Sequence, residues 1–175
     1  MKKLLILLFV IPIFTFGQDN IERIWEPFKY FAGSWDGHET GMAGIGKGNR
    51  TYEFIMDNVY LFYKNTSKFE PQEKNPDGEV HIDWSFFSYD RTRKKFVLRE
   101  FHIESFVNQY TLDSLSHDGM HFVFVSESLE NAPKGMRGRI TITIKNDNEF
   151  VETFELAFPG EDYSLFLTNY WTRRK

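Results

Sequence analysis

Glu152 interrupts Phe150-Val-Glu152-Thr-Phe154-Glu-Leu156-Ala-Phe158, a run whose other alternate residues are apolar and mostly aromatic. Successive side chains of a strand leave opposite faces, so this carboxylate shares the inward face with aromatic rings. Asn108 and Tyr110 lie between Phe106 and Leu112 in the same way, and Asn169 lies between Leu167 and Trp171. His102 joins them if Phe96, Leu98 and Glu100 form the inward face of its strand; Val97, Phe101 and Ile103 make an equally apolar opposite face. An unpaired polar group among such rings costs roughly 2–7 kcal/mol. The set therefore implies either a self-satisfied internal network or a wet cavity whose polar groups orient a ligand.

The same residue types could also do catalysis. A carboxylate pair such as Glu100 and Glu152 is suited to general acid–base chemistry. An isomerase- or cyclase-like cavity enzyme would need His102 or Glu152 with a strongly shifted pKa. A serine hydrolase would need a nucleophile at a strained turn, and no Gly-x-Ser-x-Gly stretch occurs. The five histidines, His38, His81, His102, His117 and His121, contain no paired-histidine helix motif. His38 with Glu39, or His81 with Asp83, could offer ligands, but each histidine falls on a different strand or turn, and no metal centre is assigned. Gly41 to Lys47 approaches a phosphate-binding loop, yet Gly48 stands where Ser or Thr must hold magnesium and a strand follows instead of a helix. That stretch reads as a flexible hairpin at a barrel mouth.

The elements that must position these residues are strands. The first reads as Gly33–Glu39, followed by Thr51–Met56, Val59–Phe69, Val80–Tyr89 and Lys95–Ile103. Phe106–Leu115, Met120–Leu129, Met136–Lys145, Glu149–Phe158 and Tyr163–Arg173 complete ten strands at hairpin spacing. One-sided strands without helical periods curl into closed barrels. Ile21, Ile24, Trp25, Phe28 and Phe31 sit at helical spacing ahead of them, with Pro27 limiting a short helix that would cap one end. The expected fold is an all-β, ten-stranded, antiparallel up-and-down barrel. On its inward face Val80, Ile82, Trp84 and Phe86 form one stripe, while Phe87, Phe166 and Tyr170 are expected outside.

Bulk properties bound the function. Lys2 and Lys3 precede an apolar run, Leu4 to Phe16, then Gly17 and Gln18, which is the pattern of a secretory signal over residues 1–18. The barrel domain then occupies 19–175. That run is too short for a comfortable bilayer span, so no stable membrane anchor is expected after cleavage, and the location is secreted or periplasmic. Loss of Lys2 and Lys3 leaves 19 basic residues against 25 acidic ones, a net charge of -6. Such a balance argues against nucleic acid, which needs a basic footprint. With no cysteine, disulfides, thiolate metal sites and cysteine nucleophiles are excluded.

Phe31-Ala-Gly-Ser-Trp35-Asp-Gly37 resembles the Gly-x-Trp signature that opens calycin barrels, the superfamily of lipocalins, fatty-acid-binding proteins and nitrobindins. The stretches Phe86–Asp90, Arg99–Tyr110 and Ser126–Asn131 resemble an uncharacterised bacterial family of calycin-type domains, and the likeness covers about residues 25 to 173. The resemblance implies a barrel of the nitrobindin or fatty-acid-binding type with Trp35 closing one end, and it suggests haem as a ligand. Nitrobindins supply an axial histidine from the C-terminal end of the barrel, whereas Glu149 to Lys175 contains none. The carboxylate-gripping Arg and Tyr of fatty-acid-binding proteins likewise do not match Tyr170 and Arg173 in spacing.

The function expected from these readings is binding of a small hydrophobic or amphipathic molecule. Trp84, Phe86, Phe154 and Leu167 would form apolar wall, and His102, Asn108, Tyr110 and Glu152 would orient one polar group. No cofactor is assigned. The alternatives are a cavity enzyme, a haem-binding barrel, or a filled barrel with an interaction role.

Overall fold

Alternation of side chains builds the whole architecture. A computed structural model describes residues 23–175; the signal-like segment 1–18 and Ile21 lie outside the described residues. Ten strands follow one another: β1 Gly33–Gly41, β2 Gly44–Ile55, β3 Tyr60–Phe69, β4 Glu79–Asp90, β5 Lys95–His102, β6 Val107–Leu115, β7 His121–Glu130, β8 Arg137–Asn146, β9 Glu149–Ala157 and β10 Ser164–Arg173. Each pairs antiparallel with its neighbours in sequence, and β1 pairs with β10 from Trp35↔Arg173 to Gly41↔Leu167. Closure leaves no unpaired strand edge.

The glycine-rich stretch forms the expected hairpin at the barrel mouth, but nearly all of it is paired strand. Gly44, Gly46, Gly48, Arg50 and Tyr52 of β2 point inward, while Ile45, Lys47, Asn49, Thr51 and Glu53 face water. Only Met42 and Ala43 separate β1 from β2. The glycines are there for space: a Cβ on Gly37 would come within 2.5 Å of the Trp171 ring, and one on Gly46 within 2.7 Å of the Phe69 ring.

Of the expected N-terminal helix, the described residues show a helical Arg23 and Ile24 and then a 3₁₀ segment, Glu26–Phe31, with Pro27 in its first turn. Its period of three residues puts Phe28 and Phe31 on one side, and both are buried with Trp25 in the end of the barrel. Phe28 meets Phe87, Phe96 and Phe122 at ring separations of 5.4, 4.4 and 5.3 Å. Trp35 seals the same end: its Nε1 donates to the Phe31 carbonyl at 2.7 Å, and the Arg173 guanidinium lies 4.2 Å over its ring. Arg173 also donates to the carbonyls of Ala32 and Tyr30 at 2.8 and 2.6 Å. One half of the barrel is thus a packed aromatic core. The turns β1–β2, β3–β4, β5–β6, β7–β8 and β9–β10 gather at the other end, which stays open.

Candidate functional site

Cross-strand register assembles a polar layer midway along the barrel. Directly paired positions carry Arg50, Asn65, Asp83 and His102 across β2, β3, β4 and β5. A second row runs Tyr63, Ser85, Glu100 and Asn108 across β3 to β6. From the other side of the barrel β9, β10 and β1 contribute Glu152, Asn169 and Glu39, again as direct partners. Cross-strand partners share a face, so each row points inward together.

Arg50 is the hub. Its guanidinium donates to both oxygens of Glu152 at 2.9 and 3.1 Å, to Asn65 Oδ1 at 3.3 Å and to Tyr52 Oη at 3.0 Å. It is held between the rings of Tyr63 and Trp171, at 4.5 and 4.3 Å. Burial opposes its charge, but Glu152, Tyr52 and Tyr63 together outweigh it and push its pKa well up. Asn169 donates to Glu152 at 3.1 Å, Asn65 donates to Asp83 at 2.9 Å, and Ser67 donates to Glu39. Tyr63 Oη donates to Glu100 at 2.6 Å. Burial pushes the Glu39 carboxyl up, while His81, Arg50 and His102 overcome the burial of Asp83 and hold it low.

The two histidines sit together on the wall. His102 Nδ1 is 3.4 Å from His81 Nε2, and Asn108 Nδ2 is 3.0 Å from His102 Nε2. His81 Nδ1 meets Glu104 Oε1 at 2.9 Å, and its Nε2 lies 3.4 Å from Asp83 Oδ2. Burial opposes protonation of His81, yet hydrogen bonds to Asp83 and Glu104 outweigh it and push its pKa up to about 9. His102 moves upward too, against burial, through Glu100.

Above this floor lies a cavity of about 440 Å³. Its apolar wall comes from Phe69, Phe106, Leu129, Met136, Ile140, Phe154, Leu156, Phe166 and Leu167. Among residues expected at the site, His102, Asn108, Glu152, Phe154 and Leu167 line it. Tyr110 does point inward, but it lies below the cavity, fully buried.

Trp84 and Phe86 are a correction. They face outward, Trp84 half-exposed, and pack against Phe62 and, for Phe86, Phe101. Ile82 stands on that outer surface with them. The inward residues of β4 are instead His81, Asp83, Ser85 and Phe87, and Phe87, expected outside, is 1% exposed. Val80, expected inward with Trp84 and Phe86, is 49% exposed; Phe166, expected outside, lines the cavity with its ring 5.9 Å from that of Phe154; and Phe158 lies beyond β9, 47% exposed. Arg50, Asn65 and Ser67 were not anticipated, and Asp83 and Glu39 only as ligands that His81 and His38 could join. The phase of β3 was available from Lys64 and Lys68: if these face water, Asn65 and Ser67 point inward. Register then puts Asp83 inward opposite Asn65 and turns Trp84 outward opposite Lys64.

The haem implied by the family likeness finds no axial histidine where that likeness would place one. On β9 and β10 the cavity meets Glu152, Phe154, Leu156, Phe166, Leu167 and Asn169. The donor set there does not fit, and no chemistry is assigned through haem.

Fold and site define a closed ten-stranded barrel with an aromatic-filled half and a half-polar internal cavity. It shares this fold with Rv2717c from M. tuberculosis, at 14% identity over 87% of this chain and 98% of that one, with a TM-score of 0.60. It is also similar to the S-type phycobiliprotein lyase CPES from Guillardia theta, at 11% identity over 85% of this chain and 90% of that one, with a TM-score of 0.50. No protein-family model matches the chain, and no curated protein matches it in sequence.

Proposed function

We propose that this is a secreted or periplasmic calycin-type barrel that binds a small amphipathic molecule, polar end first. The observation that carries the reading is the division of the cavity into an apolar upper wall and a charged floor. Apolar side chains also ring the mouth, with Met42 66%, Phe106 39% and Phe166 40% exposed, which suits passage of an apolar body. The floor gathers Glu39, Asp83, Glu100 and Glu152 around one guanidinium and two imidazoles. A hydrogen-bond-donating head group matches that surplus of acceptors, and a carboxylate head does not. Burial of the apolar body would supply the affinity at about 25 cal/mol per Å². The floor groups are already paired with one another, so they orient the head at little reorganisation cost.

Leu167→Trp tests the site by filling it. Nile red, a neutral apolar fluorophore, should bind the native chain and lose at least tenfold in affinity for the variant. Leu165→Trp, on the exposed side of the same strand, should bind like the native chain. Equal binding by all three would place the dye outside the cavity and defeat the proposal.

A further inference from the structure

We propose that His81, Asp83 and His102 bind a divalent first-row transition-metal ion on the cavity wall. This goes beyond the amphipathic-ligand reading and does not depend on it. Asp83 and His102 are direct partners across β4 and β5, and His81 is two residues from Asp83 on the same face, so all three project from rigid backbone. One ligand atom from each of His81, Asp83 and His102 lies within 4.8 Å of the other two.

The two contacts of His81 Nε2 have the spacing of neighbouring ligands on one ion. His81 Nε2 is 3.4 Å from Asp83 Oδ2 and 3.4 Å from His102 Nδ1. Good hydrogen bonds between such atoms run at about 2.7–3.2 Å. Metal–nitrogen and metal–oxygen bonds of about 2.0–2.2 Å give a coordination tetrahedron whose edge is about 3.4 Å.

The far side of each ring carries a second, independent observation. Glu104 holds His81 Nδ1 at 2.9 Å, so an ion that displaces the Nε2 proton meets the Nε2 lone pair directed at the site. Asn108 holds His102 Nε2 at 3.0 Å; with its amide turned over it accepts from Nε2–H and frees the Nδ1 lone pair. Asn65 Nδ2 donates to Asp83 Oδ2 at 2.9 Å and fixes the carboxylate. Outer carboxylate and amide partners of this kind orient ligating histidines and set their tautomers. Two imidazoles and a carboxylate select zinc, cobalt, nickel or iron over magnesium and calcium, which demand oxygen. Three protein ligands leave at least one position open toward the cavity, for water or for a donor atom of the bound molecule.

The test uses the mature chain, stripped with chelator and free of organic ligand, titrated with Zn²⁺ by calorimetry and with Co²⁺ by visible absorption. One ion should bind per chain, and Co²⁺ should give the intense visible bands of a low-coordinate nitrogen–oxygen site. His81→Ala and His102→Ala should each weaken Zn²⁺ binding at least 100-fold, and Glu104→Gln about 10–100-fold. His38→Ala and His117→Ala should leave it unchanged. Zinc-edge X-ray absorption on the native chain should count two imidazoles, a readout that does not depend on any variant folding. Absence of one-equivalent binding, fewer than two imidazoles, or retention of binding by the folded His81→Ala/His102→Ala double variant overturns the proposal. Failure here leaves the Nile red result untouched, so the two claims fall separately.

Discussion

Arg50 shows how a single residue holds the floor. Its side chain is 5% exposed and pairs with a Glu152 side chain that is 12% exposed. A buried pair of this kind need not stabilise more than apolar residues would, but breaking one half strands the other charge at a cost of about 3–5 kcal/mol. Arg50→Met leaves Glu152 uncompensated beside Glu39, so denaturant unfolding should show a loss of that size. Arg50→Met combined with Glu152→Leu should recover most of it. A double variant as unstable as the single one would mean that the ion pair is not what the aromatic cage around Arg50 is built to hold. Glu152 was legible because it interrupts an otherwise apolar stripe. Arg50 was hidden because its strand neighbours Gly46 and Gly48 carry no side chains to reveal the alternation.

At the scale of elements, the alternation of large apolar residues located ten strands and nearly all their ends. It misassigned β4 because the interior is polar there: Asp83 and Ser85 point inward and Ile82, Trp84 and Phe86 outward, inverting the rule that apolar faces are buried. The Gly41–Gly48 segment misled for a related reason. Glycine ordinarily marks turns, whereas here the inward glycines make room for the rings of Trp171 and Phe69. The 3₁₀ segment is tied to the barrel by Tyr30, whose single O–H is shared between the carbonyls of Asn146 and Glu149 at 2.8 and 3.0 Å. Burial pushes the Tyr30 phenol up to about 12, against the pull of Arg173. A phenol whose folded pKa lies above its unfolded value of about 10 stabilises fully below that pH and loses the contribution as pH rises through the folded value. The melting temperature should therefore fall between about pH 10 and pH 12. Tyr30→Phe should melt lower at neutral pH and show a shallower alkaline fall. An identical alkaline slope in both proteins would show that Tyr30 does not carry this linkage.

The whole molecule is a barrel filled from one end and open at the other. Trp25, Phe28, Phe31 and Trp35 consume the interior of the closed half, so the chain has a packed core without sacrificing the cavity above it. Polar rows from β2–β6 and from β9, β10 and β1 separate the two halves, and their depth sets how far a ligand can descend. Barrel closure was legible from strand number and spacing. Whether the interior was solid was not, because cavity volume depends on which face of β3 and β4 turns inward, and polar residues there leave hydropathy silent. The most direct test of the cavity as a binding site is native mass spectrometry of the purified chain after incubation with a small-molecule extract of its source cells. The account predicts a one-to-one small-molecule adduct on the native chain that is absent from Leu167→Trp. A bare polypeptide mass for the native chain, or an adduct that Leu167→Trp retains in full, would contradict it.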